Sequence, residues 1–325
     1  MRIDIQCHFF PDKVIQKLEK RSAPPNVVRK DGRTLILASK HTVLPTLPHM
    51  NDLDAKLKAM DEAGVDVQVL SMNVPGPELA GGQEAEDLAK LSHDCLAEIT
   101  QKFPDKFWGM ATLGLGDMDR SLKELDRCLN DLGFKGLQVY SNLRGTPLDD
   151  PFFHPLYERC QELDLPIFLH PTVPVLSEAP MVDYGLIPII GFLFDTTLAA
   201  MRLIMSGTMM KYPRVKFVLP HVGSTIPYLM GRIDHLTASM PGGRDNLDGR
   251  APSEFFRQFY FDTVSSYQPA IDYFYAEYGV DRLLFGSDYP WVQIDTCVDL
   301  VEKLPAQPAE RERIYSKNAL ELLRN

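Results

Sequence analysis

The chain opens with Ile3–Pro11, which reads I-D-I-Q-C-H-F-F-P. Its apolar residues predict a short buried strand, yet Asp4, Gln6 and His8 recur at every second position. Because successive side chains of a strand point to opposite faces, we expect these three to share one face. Polar groups buried without partners cost several kcal/mol. A bound metal ion would satisfy them, and a hydrogen-bonded polar cluster without chemistry is the alternative that this stretch alone leaves open.

Seven further strands follow, alternating with helical patterns from residue 51 onward. They are Val65–Ser71, Phe107–Leu113, Phe134–Tyr140, Leu165–His170, Val215–His221, Phe259–Asp262 and Arg282–Ser287. Continuous apolar strands joined by helical crossovers predict a parallel sheet covered on both faces. Eight such units favour the α/β class and a (β/α)8 TIM-like barrel. An open doubly wound sheet is the alternative, but no G-x-G-x-x-G follows the first strand.

Residues 22–50 interrupt the alternation directly after the first helix. They show no helical period, contain several prolines and include a β-like run at Arg33–Ala38. We predict a small insertion, in the form of a hairpin over one mouth of the barrel, inside a single domain of residues 1–325. Barrels of this kind often reach such a length as one domain.

The composition restricts the partners. The chain has 34 Lys and Arg against 44 Asp and Glu, a net charge of −10, and no basic stripe, so a nucleic-acid partner is not expected. An anionic substrate would need a local cationic group, because the overall field repels it. Five scattered cysteines without a CxxC motif favour a reduced, cytoplasmic protein. No signal-peptide pattern and no apolar run of about 18 residues is expected, hence no membrane association.

Chemistry-bearing residues recur where the predicted strands end, which is where barrels of this type place their active sites. The first strand carries Gln6 and His8, the fifth His170, the sixth His221, and the turn after the eighth Asp288. Of eight histidines, only these three fall at strand ends. The other five lie on loops or helices and are expected to be solvated or satisfied in the core.

Two imidazoles and a carboxylate form a suitable site for a divalent cation. Each histidine alone would more often be structural than a ligand. Their joint placement, with Asp288 inside the tight turn G-S-D-Y-P, favours a metal site at one rim of the barrel.

Several motifs carry a family resemblance over nearly the whole chain. They are I-D-x-x-x-H-F-F-P at the start, M-D-E-A-G-V-D-V-Q-V-L-S at 60–71, F-L-H-P at 168–171, F-D-T-T-L-A-A at 194–200, Y-P-R-V-K-F-V-L-P-H-V-G at 212–223, P-Y-L-M-G-R-I at 227–233 and L-L-F-G-S-D-Y-P at 283–290. Together they resemble the metal-dependent amidohydrolase superfamily, and within it the group similar to aminocarboxymuconate-semialdehyde decarboxylase.

The resemblance implies roles for individual residues. His8, His170 and Asp288 match the metal ligands, and His221 matches a histidine that serves beside the metal as acid/base or as an extra ligand. Arg232 matches an arginine that reaches from a neighbouring subunit to the substrate carboxylate, which implies a homodimer; a surface salt bridge is the alternative. Trp291 matches an aromatic residue that lines the pocket, with simple packing as the alternative.

Gln6 departs from the family pattern, which has H-x-H or E-x-H on the first strand. A glutamine can ligate through its amide oxygen, but it is neutral and a weaker donor than imidazole or carboxylate. Three outcomes are open: weaker metal binding, preference for a harder ion, or loss of the metal. We expect one divalent metal to be retained, zinc first, with manganese or magnesium as alternatives, and Gln6 as a possible fourth ligand.

The leading hypothesis is a carboxy-lyase: a metal-dependent, non-oxidative decarboxylase of an aromatic or conjugated acid that bears a neighbouring hydroxyl or oxo group. His221 and Asp288 would carry the proton to the carbon that loses CO2. A hydrolase or hydratase that uses a metal-activated water on a similar small anionic substrate is the alternative. A non-catalytic barrel is a third hypothesis, supported only by Gln6.

Overall fold

The computed structural model describes residues 1–30, 32–47, 49–176 and 178–323. Eight parallel strands form one sheet in which each strand pairs with the next along the chain. They are β1 (Ile3–His8), β2 (Val67–Ser71), β3 (Phe107–Thr112), β4 (Gly136–Tyr140), β5 (Ile167–His170), β6 (Phe217–Leu219), β7 (Tyr260–Asp262) and β8 (Leu283–Leu284). The ring is closed by backbone hydrogen bonds from Ile5 N to Phe285 O (3.0 Å) and from His8 N to Tyr289 O (2.9 Å). The predicted (β/α)8 barrel is confirmed.

Helices cover the outside of the barrel. The longer ones are α1 (Asp12–Glu19), α2 (Leu53–Ala63), α3 (Gly82–Lys102), α4 (Met118–Asn130), α5 (His154–Glu162), α6 (Phe192–Met205), α7 (Ile226–Ser239), α8 (Gln268–Tyr278) and α9 (Ile294–Glu302). Short α-helical segments are Thr208–Lys211, Pro252–Phe256, Pro308–Glu312 and Asn318–Leu322, and Pro220–Gly223 forms a tight turn that contains left-handed residues. The 3-10 turns are Pro77–Ala80, Pro151–Phe153, Ala179–Met181, Asp183–Gly185 and Asp245–Leu247, and the π-helical turns are Ile187–Gly191 and Arg313–Lys317.

Local sequence explains where α2 begins and ends. The Asp52 side chain accepts a hydrogen bond from Ala55 N at 2.9 Å, which satisfies one of the free N–H groups of the first turn. Gly64 ends the helix in the left-handed conformation, with φ of 65°, which a glycine adopts without a steric penalty. The chain then returns directly into β2.

The apolar core lies in two layers separated by the barrel wall. Inward-facing residues of several strands fill the barrel, among them Ile3, Ile5, Val67, Met110 and Phe168. A second, larger cluster lies between the outer faces of the strands and the helices. Both faces of the sheet are therefore buried, which explains why its strands have continuous apolar sequences.

An irregularity in β1 corrects one prediction. In the pairing with β2, Asp4 and Cys7 face residues only two positions apart, so β1 carries one extra residue. Such a bulge shifts the alternation of side chains. Ile5 and Gln6 both border a small cavity inside the barrel, whereas Asp4 contacts Gln68 and Ser287 on the other side. The prediction that Asp4 shares a face with Gln6 and His8 is therefore wrong.

Residues 22–50 contain an antiparallel sheet of three short strands. These strands are Asn26–Lys30, Arg33–Leu37 and Val43–Pro45. Ala38 and Leu44 pack against Val74 and Tyr140, so the sheet lies over the end of the barrel at which β2 and β4 finish. Residues 31 and 48 lie outside the described residues. A single domain of residues 1–325, with 22–50 as an insertion, stays a prediction.

One described segment, Asp183–Met205, is long and apolar enough to cross a membrane by length and composition alone. Asp195 and Arg202 interrupt this segment, so it does not contradict the expectation that no apolar run reaches about 18 residues. A helix packed on a protein core passes the same test. The inner face of α6, at Ala199, Ala200 and Leu203, is buried in the layer between barrel and helices, and the backbone kinks at Tyr184, where φ is 63°.

Candidate metal centre and active site

Three predicted ligands converge at the C-terminal rim of the barrel. His8 Nε2 lies 3.0 Å from Asp288 Oδ1 and 3.2 Å from His170 Nε2. One ligand atom from each residue lies within 4.8 Å of the others. Residues that are 162 and 280 positions from His8 along the chain therefore meet as their strand-end positions predicted.

Hydrogen bonds on the outer side of each ring determine which nitrogen faces the centre. His170 Nδ1 donates to the Pro171 carbonyl oxygen at 2.7 Å, so its neutral Nε2 carries a lone pair. His8 Nδ1 lies 3.0 Å from Ser71 Oγ, whose own proton is directed to Cys7 O. His8 Nε2 is thereby assigned a lone pair as well. Two nitrogen lone pairs and a carboxylate cannot satisfy one another, and this donor set fits a divalent cation.

The electrostatics agree with this arrangement. Burial, followed by the neighbouring His8, lowers the pKa of His170 to about 3, so that its imidazole is neutral at ordinary pH. Burial alone would raise the pKa of Asp288, but the neighbouring His221 and His8 outweigh it and hold this pKa well below its usual range. A neutral imidazole and an ionised carboxylate are the forms that bind metals.

His221 approaches the same carboxylate from the other side. Its Nε2 lies 3.9 Å from Asp288 Oδ2. Burial opposes its charged form, but the contact with Asp288 outweighs this and raises the pKa of His221. The residue lies two positions beyond the end of β6, whereas the sequence had predicted a strand that continued to it. Its backbone is left-handed, with φ of 58°, and Asp288 has φ of 60°.

Gln6 lies below the centre, inside the barrel. It borders a small cavity with Gln138, His170 and Asp262, and its Nε2 is buried without a hydrogen-bond partner among the described residues. The Gln6 backbone oxygen accepts a hydrogen bond from Asp288 N at 2.8 Å. Ligation of a metal by the Gln6 amide stays a prediction.

A mainly apolar cavity of about 140 Å³ opens beside His170 and Asp288. It is lined by Leu44, Asn73, His170, Pro171, Pro188, Phe192, Leu193, His221, Asp288 and Trp291. Trp291 is thus beside the cavity, as predicted, and also packs against the core. Among the described lining residues there is no arginine or lysine. Arg232 is exposed on α7, away from its own cavity.

Sequence analysis missed two residues near the centre, Asp262 and Asn73, and placed a third, Asp4, on the wrong face. Asp262 ends β7 and is fully buried, and burial raises its pKa to about 7; its position at a predicted strand end was a usable signal. Asn73 lines the cavity with its Nδ2 buried and without a partner among the described residues. Asp4 braces the turn at Asp288, since its carboxylate accepts bonds from Ser287 N (3.0 Å) and Ser287 Oγ (2.6 Å).

A second group with metal-ligand side chains lies on the outside of the barrel, between α3 and α4. His93 Nδ1 lies 2.7 Å from Glu124 Oε1 and 3.2 Å from Cys128 Sγ. His93 Nε2 accepts a hydrogen bond from Thr112 N at 2.9 Å. His93 is therefore satisfied in the core, in agreement with the expectation for a histidine away from the strand ends.

The sequence pattern of the amidohydrolase family matches residues 3–324. A gamma-resorcylate decarboxylase of Polaromonas sp. (strain JS666) is 35% identical over 284 residues, covering 83% of this chain and 87% of the relative. A 2-amino-3-carboxymuconate-6-semialdehyde decarboxylase of Dictyostelium discoideum is 30% identical over 282 residues, covering 84% and 76%.

A solved structure is similar over almost its whole length. It is a dihydroxybenzoic acid decarboxylase from Polaromonas sp. JS666 with bound manganese and the inhibitor 2-nitroresorcinol. The two chains share 29% identity at a TM-score of 0.80, and the match covers 99% of this chain and 96% of that one.

Proposed function

This chain belongs to the amidohydrolase family, and from that premise we propose that it is a carboxy-lyase that removes CO2, without oxidation, from an aromatic or conjugated carboxylic acid bearing a neighbouring hydroxyl or oxo group. The observation that carries the proposal is the convergence of His8, His170 and Asp288 under a cavity with mainly apolar walls. The decarboxylases named among its relatives support the reaction type.

His8, His170 and Asp288 would hold one divalent metal ion, with Gln6 as a neutral neighbour. Such an ion supplies Lewis acidity toward oxygen atoms of the substrate. Manganese in the Polaromonas structure supports that metal for this chain; zinc, the first expectation from the sequence, stays a prediction. A site with only one carboxylate and a glutamine suits either ion.

His221 and Asp288 supply the proton. When the bond to the carboxylate carbon breaks, CO2 leaves and the electron pair remains on the ring carbon. A proton on His221 Nε2, which lies 3.9 Å from Asp288 Oδ2, is then transferred to that carbon. The raised pKa of His221 keeps its proton available near neutral pH, as a general acid requires.

The cavity walls indicate how the substrate is held. Phe192, Leu193 and Trp291 provide apolar surface for a planar ring. Asn73 Nδ2, which lacks a partner among the described residues, would donate a hydrogen bond to the substrate hydroxyl or oxo group. An unpaired buried donor of this kind gains about 1–3 kcal/mol when it is satisfied.

Arg232 would complete the site from a second copy of the chain. The cavity lacks a cationic side chain among its described lining residues, and the exposed Arg232 makes no hydrogen bond or ion pair within the part of the chain that the structure describes. A mainly apolar groove lined by the exposed Tyr228 and Tyr267 leads to His221, which suits a subunit contact. We propose a homodimer with Arg232 bound to the partner's substrate.

The proposed homodimer is tested by substitution of Arg232. Arg232→Ala should raise KM about tenfold or more, because a charged hydrogen bond to a carboxylate contributes about 1.5–3 kcal/mol, and should leave the metal content unchanged. Arg214→Ala, at an exposed arginine on another segment, is the control. A fully active monomer in sedimentation would contradict the proposal.

The function itself is tested by CO2 release. Metal-loaded protein is incubated with a panel of ortho-hydroxybenzoates and muconate-type acids, and metal-free protein serves as the control. We expect turnover of at least one acid that depends on the metal. Failure on the whole panel, together with hydrolysis of an ester or amide or hydration of an alkene, would favour the hydrolase or hydratase instead.

The five cysteines, all free and buried, support the predicted reducing, cytoplasmic location.

A further inference from the structure

The turn after β6 has an unusual backbone. His221, Val222 and Ser224 have φ values of 58°, 53° and 59°, in a region that residues other than glycine rarely enter. The β-branched Val222 is especially unfavourable there. A residue in this conformation is strained unless its surroundings stabilise it. Interactions around the turn must therefore hold it in place.

The Asp262 side chain is one such interaction. It extends from the end of β7, which pairs with β6, and is fully buried. Its Oδ1 accepts hydrogen bonds from His221 N at 2.8 Å and from Val264 N at 3.0 Å. One carboxylate oxygen thus ties the strained turn to the neighbouring strand end.

The imidazole of His221 has no comparable support. The outer nitrogens of His8 and His170 are fixed by Ser71 and Pro171, whereas His221 Nδ1 is buried without a partner among the described residues. The direction of this ring toward Asp288 therefore depends on its backbone. Since Asp262 bonds directly to that backbone, it determines the direction.

We propose that Asp262 is a positioning residue, which holds the turn at His221 and thereby aims the His221 imidazole at Asp288 and the reacting carbon. The inference rests on the proposed function in so far as His221 carries the proton. The hydrogen bonds of the Asp262 side chain within the described residues go to His221 N and Val264 N and not to His8, His170 or Asp288, and Asp262 does not line the cavity above these residues. Its loss should therefore affect proton transfer and leave substrate binding and metal binding intact.

Two variants test the proposal. Asp262→Asn retains an oxygen that can accept both N–H bonds, and Asp262→Ala does not. We expect Asp262→Ala to lower kcat about 100-fold, the cost of a misplacement near 1 Å, with KM and metal content unchanged. Asp262→Asn should recover most of that loss. A normal kcat in Asp262→Ala, or equal losses in both variants, would overturn the proposal.

The double variant Asp262→Ala/His221→Ala separates positioning from a general structural role. If Asp262 acts through His221, removing Asp262 in the His221→Ala background should lower kcat by no more than about twofold, because contacting residues are not additive. The same 100-fold loss in both backgrounds would show that Asp262 acts elsewhere.

Crystal structures provide a measurement independent of turnover. In Asp262→Ala we expect φ of His221 and Val222 to leave the positive region, and in Asp262→Asn we expect it to be kept. If Asp262→Ala does not fold, Asp262→Leu fills the volume without an acceptor. If the turn stays left-handed in Asp262→Ala or Asp262→Leu, the inference is refuted. If instead the turn moves as expected but the wild-type protein decarboxylates none of the acids in the panel, only the proposed function is refuted.

Discussion

Two clusters of metal-ligand side chains in this protein differ in where their protons lie. His8, His170 and Asp288 meet at the barrel rim, and the second cluster consists of His93, Glu124 and Cys128. In both, one ligand atom per residue lies within 4.8 Å of the others. Proximity and residue type therefore do not distinguish a metal site from a structural network.

The hydrogen bonds do distinguish them. Thr112 N donates to His93 Nε2, so Nδ1 carries the proton and donates to Glu124. Arg127 also donates to Glu124, from two of its nitrogens at 2.9 and 2.6 Å. At the rim, by contrast, two imidazole nitrogens without protons face each other across 3.2 Å. The first arrangement is complete within the protein, and the second requires a cation.

The largest expected difference between the clusters is in metal content. His170→Ala should abolish near-stoichiometric divalent metal and lower kcat more than about 1,000-fold, because the proposed centre loses one of its three ligands. His93→Ala should leave the metal content unchanged. Elemental analysis of the purified variants measures both. Loss of metal in His93→Ala would break the comparison.

The second difference is in stability without metal. His93→Ala should lower the free energy of unfolding by about 2–3 kcal/mol, since it leaves the buried Thr112 N–H unpaired and removes a partner of Glu124. His170→Ala should cost less in metal-free protein, because it also relieves the unfavourable contact with His8. Urea denaturation of both chelated variants tests the order, and a costlier His170→Ala would contradict it.

The third expected difference is in the pH range over which each cluster contributes to the stability of the fold. The pKa of His170 is lowered to about 3, so this residue contributes stability above its unfolded pKa near 6.5 that is lost as the pH falls toward 3. Burial alone would raise the pKa of Glu124, but the hydrogen bonds from His93 and Arg127 have the larger effect and lower this pKa to about 2. Its contribution is present above about 4.3 and is lost toward 2.

Variants can separate these windows in metal-free protein. His170→Ala should flatten the stability profile between about pH 6.5 and 3, and Glu124→Gln only below about pH 4.3. Thermal unfolding across this range is the measurement. Identical profiles for the two variants would show that the clusters do not titrate independently.

The smallest expected effect is at Cys128. Its Sγ lies 3.2 Å from His93 Nδ1, but His93 already donates to Glu124, so the thiol adds little. Cys128→Ser should change the free energy of unfolding by about 1 kcal/mol or less and leave metal content and kcat as in the wild type. A change in the metal content of Cys128→Ser would indicate that the outer cluster is a metal site after all.

The barrel could be predicted from sequence because its signals are local. Apolar strands alternate with capped helices, as at Asp52 and Gly64, and the strand-end positions of His8, His170 and Asp288 bring them together once the strands are parallel. The bulge in β1 could not be predicted, since one extra residue changes no hydrophobic period and depends on the partner strand. The predicted orientation of the Asp4 side chain was wrong for that reason.

The surroundings of His221 were beyond sequence analysis for another reason. The sequence predicts a strand that continues to His221, but the chain turns after Leu219 into a left-handed conformation. This conformation depends on Asp262, 41 residues further along the chain. No local preference of His221 or Val222 predicts it, because tertiary contacts override the preference of both residues for negative φ.

The bulge at Gln6 has a consequence for how this barrel can evolve. The Gln6 backbone oxygen holds Asp288 N, a bond that any amino acid at this position can make. The side chain, in contrast, projects into a small chamber under the reaction centre. Selection can therefore exchange the side chain at position 6 while the turn that bears Asp288 keeps its geometry, so the lining of this chamber can change through a single codon.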